Sequence, residues 1–270
     1  MENDIVKQMQ KISYGILCYI DDFCKENDIN YYLSGGSCLG AVRHKGFIPW
    51  DDDVDIMMPR PDYEKFIKVF ADKGDKKYAI GSLDTNEKWV RTYARVWRTD
   101  TKLTQKILKE EDMGLFVDIF PIDGLPDLKF GQFLFYRKIR LLNIFRYESL
   151  RQGFYEGERL QRTKKLLSSF MKKFDARKMS FRLEKCAKKY AFMNSRYVAV
   201  SMAVHYFDKE TVPYEAMAEP VYMRFEDREF PIPCGYDVYL KALYGDYMQI
   251  PKDKKLHLEG WDVSLSEYEE

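Results

Sequence analysis

Between residues 4 and 26 the apolar side chains return every three or four positions, at Ile5, Met9, Ile12, Ile16, Ile20 and Phe23. That spacing predicts an amphipathic helix ending at the polar pair Asn27-Asp28, and its apolar stripe requires a core to cover it. A short strand is expected over 30–34, a tight turn at Gly35-Gly36, and a short helix over 37–44 with Ser37 near its start. An extended segment over 53–58 follows. Pro61 then suits the first position of a helix whose inward side is Tyr63, Phe66, Ile67 and Phe70. Strands are expected at 78–83, 90–99 and 115–120, further short strands over 197–232, and a final helix over 237–244.

These elements define an α+β (mixed α/β) fold, a mixed sheet flanked by helices, because there are too few long crossover helices for a doubly wound sheet. The expected organisation is one domain without internal repeats. Residues 1–125 form its core, 126–195 a helical insertion or subdomain, and 196–270 strands and a helix that complete the core. The middle region differs in charge as well as periodicity. Residues 129–190 carry 18 Lys or Arg against 5 Asp or Glu, a local excess of 13 positive charges, while the rest of the chain carries 26 against 38. With Phe130, Phe133, Leu134, Ile139, Leu142 and Phe145 among these bases, the region suits either an anionic surface or a solvated helical face over an ordinary core.

The formal charge of the whole chain is only +1, so there is no net field to attract nucleic acid, and none is expected as a partner. No run approaches the ~20 apolar residues of a membrane-spanning helix, and the acidic start lacks a signal peptide's basic region, so a cytoplasmic location is expected. Five cysteines, never spaced C-x-x-C, read as reduced core filler rather than a disulfide framework or zinc site.

The chemistry concentrates in Leu33-Ser34-Gly35-Gly36-Ser37 and, shortly after, Pro49-Trp50-Asp51-Asp52-Asp53-Val54-Asp55-Ile56. Four carboxylates within five residues repel one another unless a cation or a solvated turn relieves them. On an extended segment Asp53 and Asp55 point to one face, and two same-face carboxylates offer the hard oxygen ligands of Mg²⁺ or Mn²⁺, which keeps waters and substrate phosphates as its other ligands. A Gly-Gly-Ser turn opening a helix leaves backbone N–H groups accessible to a phosphate. A calcium loop is excluded: counted from Asp51, Ile56 stands where an EF-hand needs Gly, and Asp62 where it needs Glu. Arg95, in mid-strand, requires an anionic partner, either a phosphate or one of the acids.

The stretch YYLSGGSCLGAVRHKGFIPWDDDVDIMMPRPDYEKF, residues 31–66, closely resembles the signature of the LicD family of phosphocholine transferases, relatives of fukutin-related proteins. The resemblance continues more loosely through YARVWRTDT (93–101), FVDIFPIDG (116–124), LYGDYMQIP (243–251) and His257. It implies a nucleotidyltransferase fold with the phosphate-binding turn at Gly35, Gly36 and Ser37, a metal-binding D-x-D at Asp53 and Asp55, and a third acid at Asp118, either general base or metal ligand. The implied reaction is Mg²⁺-dependent transfer of phosphocholine from CDP-choline to a sugar hydroxyl of a cell-surface glycan or a teichoic-acid or lipopolysaccharide precursor, with release of CMP. Arg43, His44 and Lys45 would then be placed to meet the leaving cytidylate. Choline's quaternary ammonium is held by aromatic faces, for which Trp50 is the first candidate and Trp89, Tyr93, Trp97 and Trp261 are others. His205 reads as a core histidine. His257 is an expected substrate contact, and a lipid-linked acceptor would bring the basic region to the inner membrane face.

Two rival readings remain open. A D-x-D glycosyltransferase shares the metal and phosphate logic, although the D-x-D here lacks a long preceding nucleotide-binding region. A non-catalytic membrane-surface module would use the basic helices and leave the acidic constellation unexplained.

Overall fold

A computed structural model describes residues 2–154, 158, 160–202, 207–251 and 261–265. The first helix, α1 (Glu2–Glu26), buries Met9, Ile12, Ile16, Ile20 and Phe23 as its periodicity requires. After it come β1 (Tyr32–Leu33), α2 (Gly35–Arg43), β2 (Asp55–Pro59), α3 (Arg60–Lys73), β3 (Tyr78–Gly81), β4 (Ala94–Arg98), β5 (Lys102–Gln105) and β6 (Phe116–Gly124). The basic region supplies α4 (Lys129–Leu150), α5 (Gln161–Met171) and α6 (Ala176–Ala187). The chain returns through β7 (Tyr197–Ala199), β8 (Val212–Pro213), β9 (Pro220–Phe225), β10 (Arg228–Pro233), α7 (Tyr236–Tyr244) and β11 (Trp261–Ser264).

The main sheet runs β1-β2-β6-β4-β3, with β7 and then β8 added at the far end of β6. Only β2 and β6 pair in parallel; β1, β4, β3, β7 and β8 join antiparallel. The fold is therefore the expected mixed sheet with flanking helices. Strand β6 is buried on both faces, so apolar residues occupy successive rather than alternate positions, interrupted by Asp118 and Asp123, whose charges are paired. Pro121, which has no N–H to give a ladder, sits beyond the last β4 partner at Ile119 and before the first β7 partner at Asp123. The helices α1 and α3 pack on this sheet, and the largest core cluster joins them to the β9-β10 hairpin and α7. A second apolar cluster lies between α4 and α6, around Phe135, Tyr136, Ile139, Leu183 and Ala187.

Several boundaries differ from the sequence expectation. Helix α2 begins at Gly35 rather than after the glycine pair, so the two glycines are its first turn. Strand β2 begins at Asp55, which leaves Asp53 in the preceding loop. All five cysteines are free thiols; Cys24, Cys38 and Cys186 are buried and Cys18 partly so, but Cys234 is exposed and is not core filler. Among the described residues no helix is long and apolar enough to cross a membrane.

Candidate active site

Helix α2 and strand β2 are tied together at their starts. The Ser34 N–H donates to the Asp55 carbonyl at 2.9 Å, and the Asp55 N–H donates to Ser37 Oγ at 2.9 Å. Both links hold Asp55 beside the N-terminus of α2, where the unpaired N–H groups and the macrodipole favour a carboxylate. Gly35 adopts φ +47°, a conformation that L side chains rarely take, and a Cβ built there would stand 3.7 Å from Asp55 Oδ2 and 3.6 Å from the Tyr244 hydroxyl. At Gly36 a Cβ would lie 2.6 Å from Asp51 Oδ2. The glycine pair thus lets two carboxylates approach the helix terminus. The Gly35 N–H donates to the hydroxyl of the fully buried Tyr239, which also hydrogen-bonds Ser34 Oγ.

The acidic loop is fixed from α1. Gln10 Nε2 donates to the Asp51 carbonyl at 2.7 Å, a contact between residues 41 apart in sequence. Asp51, Asp52 and Asp53 each offer a carboxylate oxygen within 4.8 Å of the others, a set able to hold a cation, and Asp51 and Asp52 are buried. Next to this set is a cavity of about 30 Å³ lined by Ser13, Asp52, Asp53, Phe116 and Trp261. Ser13 lines it, and the buried Ser13 Oγ has no hydrogen-bond partner among the described residues. A buried hydroxyl left unsatisfied is costly, and hard oxygen donors beside an orphaned hydroxyl and room for water suit a hydrated Mg²⁺-like ion.

Asp55 and Asp118 are direct partners across the parallel β2-β6 pair, and Asp118 is opposite Arg95 across β6-β4. Three charged residues therefore form one row across the sheet, on the face away from Val117 and Ile119. The buried Arg95 guanidinium forks onto both Asp118 oxygens, Nη2 to Oδ2 at 3.0 Å and Nε to Oδ1. This is the acidic partner expected of Arg95. Its carbon lies 3.5 Å from the Phe116 ring centroid and within 6 Å of the Trp261 and Tyr93 rings.

The other expected contacts scatter. Arg43 donates from Nη1 to the carbonyls of Tyr247 and Gln249, at 2.6 and 3.2 Å, so its head ties α2 to the segment after α7. His44 packs edge-on against Trp50, and partial burial together with the neighbouring Arg43 holds its imidazole below the usual histidine range. Lys45 takes φ +61° and places Nζ on Met223 Sδ. Trp89 and Trp97 stack on each other, and Trp89 Nε1 donates to the Tyr93 carbonyl. His205 and His257 lie outside the described residues. Ser13 and Tyr239 have no counterpart as site residues in the sequence reading; Asp51 and Asp52 are signalled there only as part of the acidic run, and Phe116 only as part of the FVDIFPIDG stretch.

Parallel acid-bearing strands beside a glycine-opened helix, in a mixed sheet, define a nucleotidyltransferase-type domain with a candidate cation site. Residues 28–141 match the model of the LicD/FKTN/FKRP family, nucleotidyltransferase domain. The chain is 30% identical over 264 residues, 95% of its own length and 97% of the relative's, to the lipopolysaccharide cholinephosphotransferase LicD of Haemophilus influenzae. A 38-residue stretch, 14% of the chain and 8% of the relative, is 47% identical to the human ribitol 5-phosphate transferase FKRP. The chain belongs to the LicD family and is an enzyme, a phosphotransferase.

Proposed function

We propose that the chain transfers phosphocholine from CDP-choline to a sugar hydroxyl of a cell-surface glycan, a lipopolysaccharide or teichoic-acid precursor, and releases CMP. The observation that carries this reading is similarity to a cholinephosphotransferase over nearly the whole of both chains, together with the acids gathered at the start of α2 and β2. The acceptor oxygen forms a bond to the choline-bearing phosphorus, the bridging oxygen to the cytidylate leaves with its electron pair, and the hydroxyl proton passes to a base or solvent.

Such a transfer is driven by in-line positioning and by neutralising charge on the phosphoryl oxygens. Asp53 and Asp55 are the proposed ligands of Mg²⁺ or Mn²⁺, with Asp51 and Asp52 adjoining. The cation, when bound, offsets phosphoryl charge. The backbone at Gly35, Gly36 and Ser37, at the start of α2, orients the donor phosphates, while Arg43 and His44, with Trp50 packed on His44, stand at the other end of the helix. Asp118 has both oxygens gripped by Arg95, which fixes the carboxylate in the sheet and supports a role as third ligand or orienting group over that of a general base. The catalytic core on this reading is residues 1–125, completed by 196–270, in a protein working at the cytoplasmic side.

The test is turnover of a CDP-alcohol panel and of UDP-sugars, with wild type and with Asp53→Asn and Asp55→Asn. The expected result is CDP-choline consumption that each variant abolishes while remaining folded. Consumption of a UDP-sugar instead, or a variant keeping more than about a tenth of wild-type turnover in saturating Mg²⁺, an effect below ~1.4 kcal/mol on the barrier, overturns the reading. Preference for CDP-ribitol would keep the site and replace the head group.

A further inference from the structure

We propose that the outer face of α4 is a docking surface for anionic lipid. The helix is apolar on two sides. Its inner side, Phe135, Tyr136 and Ile139, is buried against Leu183, Cys186 and Ala187 of α6. Its outer side carries Phe130, Phe133, Leu134, Leu141 and Ile144, exposed by 71, 55, 52, 57 and 38%. Steps of three and four residues put these on one helical face, and at 1.5 Å per residue the stripe from 130 to 144 is about 21 Å long. A soluble helix over a core needs only one such stripe, so the outer one requires a different occupant.

Charge identifies that occupant. Lys129, Arg137, Lys138 and Arg140 are exposed on α4, and between residues 129 and 147 there is no Asp or Glu. The one acid of the helix, Glu148, is buried and paired with Arg151. Helix α5, packed on α4, repeats the composition, with Leu166 and Phe170 exposed beside Lys165, Lys172 and Lys173. A second copy of the chain docked stripe to stripe would bring these cations face to face with their equivalents. A surface of acyl chains under negative head groups complements both features at once: the apolar side chains enter, and the long Lys and Arg stems carry their charges outward to the head groups. Arg137 already lies over the Phe133 ring, its carbon 5.7 Å from the centroid, so cation and wedge sit together.

Vesicle flotation without donor or acceptor tests this independently of the reaction, since it reads binding alone. Wild type is expected to bind phosphatidylglycerol–phosphatidylcholine vesicles at 0.1 M salt and to bind pure phosphatidylcholine at least tenfold more weakly. Phe133→Ser/Leu134→Ser/Leu141→Ser and, separately, Arg137→Gln/Lys138→Gln/Arg140→Gln should each lower anionic binding tenfold or more without lowering the melting temperature, because all six side chains are exposed. Raising salt to 1 M, where the screening length falls from about 10 to about 3 Å, should weaken wild-type binding strongly. No binding to anionic vesicles at 0.1 M salt, or binding unchanged in both variants, overturns the proposal. So does a wild-type dimer in sedimentation that the serine variant dissociates, since the stripe would then meet a second copy. If the serine variant misfolds, the glutamine variant decides.

Discussion

At Gly36 the site depends on a missing methyl group. A Cβ there would come 2.6 Å from Asp51 Oδ2, a distance that ordinary contacts do not reach, and the carboxylate is what must move. Alanine otherwise favours a helix over glycine by about 1 kcal/mol, so Gly36→Ala is expected to leave the melting temperature within a few degrees while lowering Mn²⁺ affinity tenfold or more. Mn²⁺ titration of the folded variant checks this, and unchanged affinity would separate Asp51 from the cation site. Some of this was legible in the residues alone. A charged residue in mid-strand demanded an anion, and Arg95 has one in Asp118. The glycine pair and the acidic run were also visible, but their mutual arrangement was not. Gln10 holds the acidic loop from 41 residues away, and Ser13 reaches the cavity from α1, where its neighbours in sequence mark it only as a polar position in an apolar stripe.

Among the elements, α1, α3 and α7 follow their local periodicity, because one buried face dictates the pattern of each. The local pattern ends β6 at residue 120, since Pro121, Asp123 and Gly124 interrupt it; the strand continues to Gly124 because β2 and β7 pair with it there. The pairing of β5 with β11 could not be read at all, as it joins residues 102–105 to 261–264. Asp123 occupies the end of β6 for a reason its sequence context conceals. It is fully buried and accepts from Arg60 Nε at 2.7 Å and from Nη2, with Glu184 of α6 3.7 Å from Nη1. The pair fastens the start of α3 to the sheet. Asp123→Ala leaves a buried guanidinium with only that more distant partner, and loss of about 3 to 5 kcal/mol in denaturant unfolding is expected. Arg60→Met/Asp123→Leu should lose much less, because neither charge is then buried alone. Equal losses in the two variants would assign the effect to packing instead.

For the molecule as a whole, charge is balanced in sum and divided in space, with 13 excess positive charges over residues 129–190 against 12 negative elsewhere, so global repulsion is small and pH acts through individual buried groups. Glu210 is the clearest of them. It is 3% exposed, at the end of a short 3-10 turn packed on α7, and burial pushes its carboxyl well above the ordinary glutamate value of about 4.5. Tyr239, whose hydroxyl hydrogen-bonds Ser34 and Gly35, and Tyr136 of α4 are the tyrosines that a charge on Glu210 would act on. The folded state therefore keeps a proton on Glu210 that the unfolded chain releases above about pH 4.5. Because the folded value is raised, the group's stabilising contribution is complete below the unfolded value and is lost as pH rises toward the folded one. Glu210→Gln keeps the shape and removes the proton, so it should melt at a higher temperature than wild type at pH 8, and the advantage should shrink steadily on acidification and vanish near pH 4.5. Paired melting curves over that range measure the difference directly. A variant less stable than wild type at pH 8 would mean that Glu210 is ionised in the fold and held by a cation, and the charge at the foot of the Tyr239 contact would have to be reassigned.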